Sequence, residues 1–542
     1  KKQKRLSDTT EIDTFAQFLS ATKTVVTKMH KAHFLWVDDE IDLLRPYVLF
    51  LEEKGYLMEC ANNGHDAIER TREKSFDMIF LDEQMPGLSG LETLNHLHDT
   101  APDVPVVMVT KSEDEGIMEC AIGRKIADYL IKPVNPNQVL ITIKKILDKK
   151  ELISDAITDN YRQVFNQLSG EIESCCSAEE WMALYRKLVY WELELHPAEN
   201  SMRDLLASQK MEANSAFARF IRKNYPRWMR GDDTSPLMSP ALFEKAVFPV
   251  LARREKLFFI LIDNFRLDQW LAVKDLISDH FICQETLYYS ILPTATPYAR
   301  NSIFSGLMPR QLAMEFPEFW VGDNEEESKN QQEESLIRTQ LQRKQLSPLL
   351  SYQKVNSNRE ATALYNRFAE WEKHDLHVWV FNFIDMLSHA RTDSKMIREL
   401  TADEAAYRTL TRSWFVHSPL FLLLKTIAAK GYRVVLTTDH GSIRVKNGQK
   451  VLGDKETNTN LRYKVGKNLG YEPRKLFEML HPEEFGLPTP NMSTRYIFAT
   501  QNDFFVYPNN YNHHMSLYTQ SYQHGGISME EMMVPLITLN PK

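Results

Sequence analysis

Short apolar runs that stop on a carboxylate recur along this chain, and they constrain its fold more than any other feature. His33–Val37 runs into Asp38-Asp39, Met78–Leu81 into Asp82, Lys256–Ile262 into Asp263, Val378–Phe383 towards Asp385, and Arg433–Leu436 towards Asp439. Runs this short, separated by amphipathic stretches, read as parallel strands covered on both faces by helices. Ligands of such sheets gather beyond the carboxyl ends of the strands, so each acid is placed where chemistry is done. The expected class is α/β: a doubly wound five-stranded domain, a helical linker bundle, and a larger α/β domain.

A chain of 542 residues exceeds one hydrophobic core. The expected division is an N-terminal extension at 1–31, a first domain at 32–150, helices at 151–250, and a last domain at 254–542. The extension is charged throughout, lacks a signal-peptide core, and is expected to be disordered or one loose helix, with Met29 a candidate start. No apolar run approaches the roughly 20 residues of a membrane helix, so no membrane insertion is expected. With 65 basic and 73 acidic residues, the net charge of −8 argues against broad duplex binding. No helix-turn-helix is evident, so no sequence-specific DNA-binding module is expected. Five cysteines without CxxC spacing fit a reducing compartment, which points to the cytoplasm.

The first domain alternates five strands with five helices, which implies right-handed crossovers in one parallel sheet. Asp38 and Asp39 follow the first strand, Asp82 the third, Thr110 the fourth and Lys132 the fifth. Three carboxylates in one pocket repel unless a hard cation joins them, and Mg²⁺ prefers oxygen ligands. Asp82 is the candidate phosphoryl acceptor; Thr110 and Lys132 would grip the acyl phosphate, and Tyr129 would be the mobile aromatic. Any one of these positions is ordinary loop chemistry, but all of them in order are not. The segment resembles a CheY-like receiver, which implies phosphorylation at Asp82, Mg²⁺ held by Asp38, Asp39 and Asp82, and a sensor histidine kinase as partner.

The middle segment repeats Ile153, Ile157, Tyr161 and Phe165, then Trp181, Leu184, Tyr185 and Leu188, at helical spacing. Core packing explains that stripe better than base stacking. The segment reads as a bundle linking switch to effector, with no catalytic residue, and ends in the Pro-rich stretch Thr234–Pro240.

In the last domain Asp263, Asp385, His389, Asp439, His440 and His524 accompany a Pro-Thr294-Ala-Thr296-Pro elbow that opens a helix. Zn²⁺ accepts Asp and His together, and two ions about 4 Å apart stabilise the attacking and leaving oxygens of in-line displacement. A hydroxyl at a helix N-terminus has its pKa lowered by the amide dipoles and could act as nucleophile. Asp-His-Gly as a helix cap, Asp263 as a turn residue and His524-Gly-Gly as plain loop are the bland alternatives. They weaken once Asp385 and His389, an ionisable pair after a buried strand, are added. Arg444, Lys446, Lys455, Arg462, Lys464 and Lys467 form a basic run that could hold substrate phosphates or be an exposed charged hairpin. The acidic stretch 322–334 reads as a solvated loop or a lid.

This order resembles the alkaline phosphatase superfamily, which includes nucleotide phosphodiesterases, phosphomutases and PglZ domains. The resemblance implies that Asp263, Asp439, His440 and the nucleophile Thr296 serve one zinc ion, and Asp385, His389 and His524 the other. It favours Thr296 over Thr294, with Gly306 ten residues on, and His524 over His513 and His514. The whole chain resembles PorX-like response regulators, which implies regulation of type IX secretion, a phosphorylation-promoted homodimer, and a sigma factor or secretion component as partner. The expected function is a response regulator whose receiver controls a two-zinc phosphodiesterase acting on nucleotide-type diesters. The alternatives are a metal-bound, non-catalytic platform for a transcription or secretion partner, and a phosphomonoesterase.

Overall fold

The structure is a computed structural model that describes residues 32–102, 104–110, 126–195, 200–322, 330–454, 457–509 and 511–542. The extension before residue 32, the helix expected from Glu115, Cys120 and Lys455 lie outside the described residues. The described residues form two compact units that divide between Ala156 and Ile157.

In the first unit, β1 (His33–Val37), β2 (Leu57–Ala61), β3 (Met78–Asp82), β4 (Val106–Thr110) and β5 (Asp128–Ile131) form one parallel sheet in the order β2-β1-β3-β4-β5. Alternation sorts the side chains to two cores. Phe34, Trp36, Phe80, Val107 and Val109 pack on one face, and Leu35, Val37, Ile79, Leu81 and Met108 on the other. Helix Gly90–Thr100 is fixed at its start by a Ser89–Glu92 capping box and helix Gly64–Glu73 by the Asn63 side chain.

Helix Pro136–Ser174 is one continuous element, because its sequence offers no proline beyond its first residue and one glycine, Gly170, too late to stop it. Helices Ala178–Glu194 and Asn200–Met229 follow. The latter runs past Pro226, where burial of Tyr225 and Trp228 offsets the lost backbone bond. No helix among the described residues is long and apolar enough to cross a membrane.

The second unit is built on β6 (Leu257–Ile262), β7 (Phe281–Tyr289), β8 (Leu350–Val355), β9 (Leu376–Phe381), β10 (Arg433–Thr437) and the last strand, Met533–Pro541. The order is β7, last strand, β10, β6, β9, β8, and only the last strand runs antiparallel to its neighbours. β6, β9 and β10 are therefore adjacent and parallel, and their carboxyl ends open on one edge. β7 points the same way, so the chain after it arrives at that edge with Thr296. Two features differ from expectation. β9 stops at Phe381 and helix Phe383–Asp393 begins at once, so Asp385 lies in a first helical turn and not at a strand end. Glu333, expected in a solvated acidic loop, is buried at the start of helix Glu333–Arg343, where Arg300 binds it at 3.2 Å and the Tyr352 hydroxyl donates to it.

A small antiparallel sheet of Tyr463–Gly466, Leu476–Met479 and Arg495–Ala499 packs near the C-terminal loops. Its edge corrects one expected substrate contact. Arg462 is fully buried and holds Glu531 through Nε at 3.1 Å and Nη2 at 2.5 Å, so its charge is consumed in the interior. Lys464 is buried too; its Nζ donates to the Asn458 carbonyl at 2.9 Å, and burial lowers its pKa to about 8. Arg444 donates to the Gln520 and Ala402 carbonyls, and Lys446 is exposed, so these four do not form one basic surface. Removing one partner of a buried ion pair costs about 3–5 kcal/mol. Arg462→Met should lose stability on that scale in urea denaturation, with part recovered in Arg462→Met/Glu531→Gln. A normal denaturation midpoint with a raised KM would restore Arg462 as a substrate contact.

Candidate active site

In the receiver-like unit, Asp38, Asp39 and Asp82 bring one oxygen each to within 4.8 Å of one another. Lys132 Nζ lies 2.7 Å from Asp38 Oδ2 and 3.0 Å from Asp82 Oδ2. Burial pushes the Asp82 carboxyl up, and Asp38 and Asp39 add to it, against the pull of Lys132. Asp82 Oδ1 is buried without a hydrogen-bond partner. One ammonium against three carboxylates leaves excess negative charge aimed at one point, which fits a hard divalent cation. Thr110 is buried at the end of β4, its carbonyl accepting from Lys132 N at 2.7 Å, and Tyr129 is 40% exposed.

At the carboxyl edge of the larger sheet, two groups form. Asp263, Asp439 and His440 present ligand atoms within 4.8 Å of one another, and so do Asp385, His389 and His524. In the first, His440 Nε2 lies 3.7 Å from Asp263 Oδ1 and 4.0 Å from Asp439 Oδ2. In the second, Asp385 Oδ2 is 3.4 Å from His389 Nε2 and Asp385 Oδ1 is 3.8 Å from His524 Nε2. The His440 and His524 rings stack at 4.2 Å, which makes the groups neighbours.

Backbone carbonyls set both imidazoles. His440 Nδ1 is 3.1 Å from the Gly441 carbonyl and His524 Nδ1 is 3.2 Å from the Thr294 carbonyl. A carbonyl only accepts, so Nδ1 carries the proton and Nε2 turns its lone pair into the site, as metal-ligating histidines require. Burial and the neighbouring His440 hold His524 down to about 3, so it is neutral. Asp385 is kept ionised, against burial, chiefly by the bond to His389 and the field of His389.

Sequence reasoning missed Arg300. Fully buried, it binds Asp439 Oδ2 through Nε at 2.9 Å, Asp263 Oδ2 through Nη2, and Glu333 through Nη1. Two buried carboxylates sharing one guanidinium do not ionise alike. Burial opposes both, but Arg300 and His440 hold Asp439 down, while Asp439 and Asp385 help push Asp263 well above the usual carboxylate range. Asp263 Oδ1, on the His440 side, is buried without a hydrogen-bond partner. An orphaned carboxylate oxygen beside an imidazole lone pair is a donor set that fits zinc. The one available clue was spacing: Arg300 follows Thr296 by four residues, one helical turn. Asn264 was missed as well. At φ 62° it bridges the groups, donating through Nδ2 to Asp385 Oδ1 at 3.3 Å.

The two threonines part company. Thr294 is fully buried, its Oγ1 donating to the Gly526 carbonyl at 2.9 Å and accepting from Gly525 N at 3.1 Å, so it shapes the His524 loop. Thr296 begins helix Thr296–Ser305, and its Oγ1 lies 3.0 Å from His440 Nε2. It thus sits where the helix N-terminus meets the first group. His513 and His514, on helix Tyr511–Tyr518, join neither group. A further acidic group of Glu192, Asp268 and Glu404 has its oxygens taken by Lys210, Arg266 and Arg408.

Comparison with known proteins divides the chain in three. Residues 34–144 match the response regulator receiver domain, 151–229 the PorX response regulator linker domain, and 242–539 the BREX system PglZ alkaline phosphatase-like domain. Among curated proteins, the transcriptional regulatory protein ResD of Bacillus subtilis is 30% identical over 118 residues, 22% of this chain and 49% of ResD. The CpxR homolog of Haemophilus influenzae is 35% identical over 127 residues, 23% of this chain and 54% of that protein. The chain thus spans about half the length of these relatives. A receiver domain structure from Methanospirillum hungatei is 28% identical and covers 22% of this chain and 96% of its own, at a TM-score of 0.22. The chain is a two-component response regulator of PorX-like arrangement. With that match spanning more than half of its 542 residues, it belongs to the PglZ family of alkaline phosphatase-like proteins.

Proposed function

We propose that the output unit is a two-zinc phosphodiesterase acting on nucleotide-type diesters, and that phosphorylation of the receiver at Asp82 controls it. The observation that carries this reading is the pairing of two three-ligand groups, the Nε2 atoms of His440 and His524 facing inward, with Thr296 Oγ1 3.0 Å from His440 Nε2. Asp263, Asp439, His440 and Thr296 would hold one zinc, and Asp385, His389 and His524 the other. Asp38, Asp39 and Asp82 would hold Mg²⁺ in the receiver. When bound, the zinc pair supplies Lewis-acid stabilisation of the charge that builds on the attacking and leaving oxygens.

The chain's own groups do the rest. Thr296 Oγ1 gives up its proton to solvent and forms a bond to phosphorus as the bond to the leaving alkoxide breaks; the alkoxide takes up a proton from solvent and departs as the alcohol. Water then displaces Oγ1, losing one proton as Oγ1 regains one, which returns Thr296 and releases the phosphomonoester. The N-terminal amides of helix Thr296–Ser305 favour the anionic phosphoryl oxygens. Arg300 keeps Asp439 ionised from behind, Asn264 orients Asp385, and Thr294 fixes the His524 loop. Regulation of type IX secretion, a phosphorylation-promoted homodimer and a cytoplasmic setting belong to the same reading. They are supported by the receiver and linker matches and by the free thiols of Cys60, Cys175, Cys176 and Cys283.

Thr296→Ala is expected to lose hydrolysis of a chromogenic phosphodiester by roughly three orders of magnitude or more while keeping its zinc, since the loss is that of a nucleophile and not of a fold. A zinc-loaded wild type without turnover on the diester or its monoester would instead favour the binding platform. Chelation should abolish turnover and lower the melting temperature of the output unit, and zinc should restore both. Acetyl phosphate should change the oligomeric state of the wild type in light scattering and leave Asp82→Ala unchanged; equal behaviour of the two would remove Asp82 from the control.

A further inference from the structure

Helix Asn200–Met229 of the linker turns Met211, Asn214 and Ser215 towards the loops behind the active site. Asn214 Nδ2 donates to Glu530 Oε2 at 3.0 Å, and Met529 N donates to Asn214 Oδ1 at 2.8 Å. Gln501 Nε2 donates to Ser215 Oγ at 3.3 Å. Beside them, Lys210 Nζ lies 3.1 Å from Glu530 Oε1 and 2.6 Å from Glu192 Oε2. Asn214 and Glu530 are buried, so the contact belongs to the interior and not to a surface.

The segment held in this way supports both histidines that face each other across the site. Gly526 N donates to Glu531 Oε1 at 2.8 Å, which fixes the loop that carries His524. Gly441 N donates to the Glu531 carbonyl at 3.2 Å, and the Gly441 carbonyl is the acceptor that orients His440. A Cβ on Gly441 would lie 2.0 Å from the Glu530 carbonyl, so the two backbones are already in contact and a shift at Glu530 has no slack to absorb it. Metal ligands depend on their outer contacts to this degree in general: loss of such a partner costs about 10–100-fold in affinity or activity.

We infer that Lys210 and Asn214, residues of the linker helix, are positioning residues for the two zinc-side histidines, acting through Glu530 and Glu531. The linker is then part of the active site's support and not a spacer. This inference rests on the two-zinc reading. Lys210 balances the buried Glu530 carboxylate, Asn214 satisfies that carboxylate and the Met529 amide together, and Glu531 passes the position on to His524 and His440.

The test uses the full chain and measures zinc affinity by competition with a chromophoric chelator, alongside diester kcat and KM and the melting temperature of the metal-free protein. Asn214→Leu and Lys210→Met are expected to weaken zinc about 10-fold and to lower kcat with KM little changed. Lys210→Arg keeps the charge and should stay close to wild type. Lys187→Met, which removes an exposed pair with Glu171 in the same linker, should bind zinc as wild type does. Lys210→Met leaves the buried Glu530 carboxylate without its ammonium and can fail to fold, whereas Asn214→Leu removes no charge and is of similar size, so it decides the matter. Wild-type zinc affinity in Asn214→Leu, with an active wild type, overturns the inference and leaves the two-zinc reading standing. A wild type that takes up no zinc overturns both.

Discussion

The output unit depends on a shared charge. Asp263 and Asp439 follow adjacent parallel strands, and sheet geometry forces their carboxylates together whether or not a cation is present. Arg300 makes that tolerable, because one guanidinium reaches an outer oxygen of each acid and leaves the inner Asp263 oxygen unpaired. Glu333 behind Arg300, with Lys354 3.1 Å from it, keeps the guanidinium itself satisfied. Each charge in this chain would be costly alone in the interior, and each is bearable beside the next. The helix that supplies Arg300 also supplies Thr296, so the turn that carries the proposed nucleophile is held by the residue that organises the acids.

How much of this was legible in the sequence follows from where polarity breaks a pattern. Asp38, Asp82, Asp263, Asp439 and His440 each end or closely follow an apolar run that reads as a buried strand; singly each is ordinary loop chemistry, and it is their order together that points to a site. Arg300 and Glu333 interrupt nothing: both lie among polar residues that read equally well as a solvated helix or an acidic loop. Whether such a charge is buried depends on partners distant in sequence, as Glu333 is from Arg300. Arg462 misled for the same reason. As one member of a basic run it looked like a hand for substrate phosphate, and Glu531, which claims it, lies 69 residues on.

Helix ends were less legible than helices. The sequence between Asn137 and Ser174 holds no proline, so nothing in it marks that one helix spans the whole stretch. The turn from Phe381 into helix Phe383–Asp393 was similarly hidden, because Phe383 suits a strand as well as a helix. That small displacement has a consequence for chemistry. It sets Asp385 and His389 on successive turns of one helix, a spacing that lets both reach the same point, where a strand would have sent them to different places.

The two acidic pockets of the chain use one rule of topology and differ in what balances them. In the receiver-like unit three carboxylates face a lysine that reaches two of them. Such a site favours a hard cation and an incoming phosphoryl group, and the lysine already stands where the acyl phosphate would form. In the output unit neutral imidazoles replace part of the carboxylate, and Arg300 and Lys354 take up charge from behind without entering the ligand face. The ligand face is then softer and less negative, which suits zinc and leaves net positive charge for a phosphodiester once two divalent ions are bound. On the proposed reading, receiver and output would divide the same phosphorus chemistry by charge balance: one pocket would accept a phosphoryl group onto an acid, the other would pass one through a hydroxyl to water.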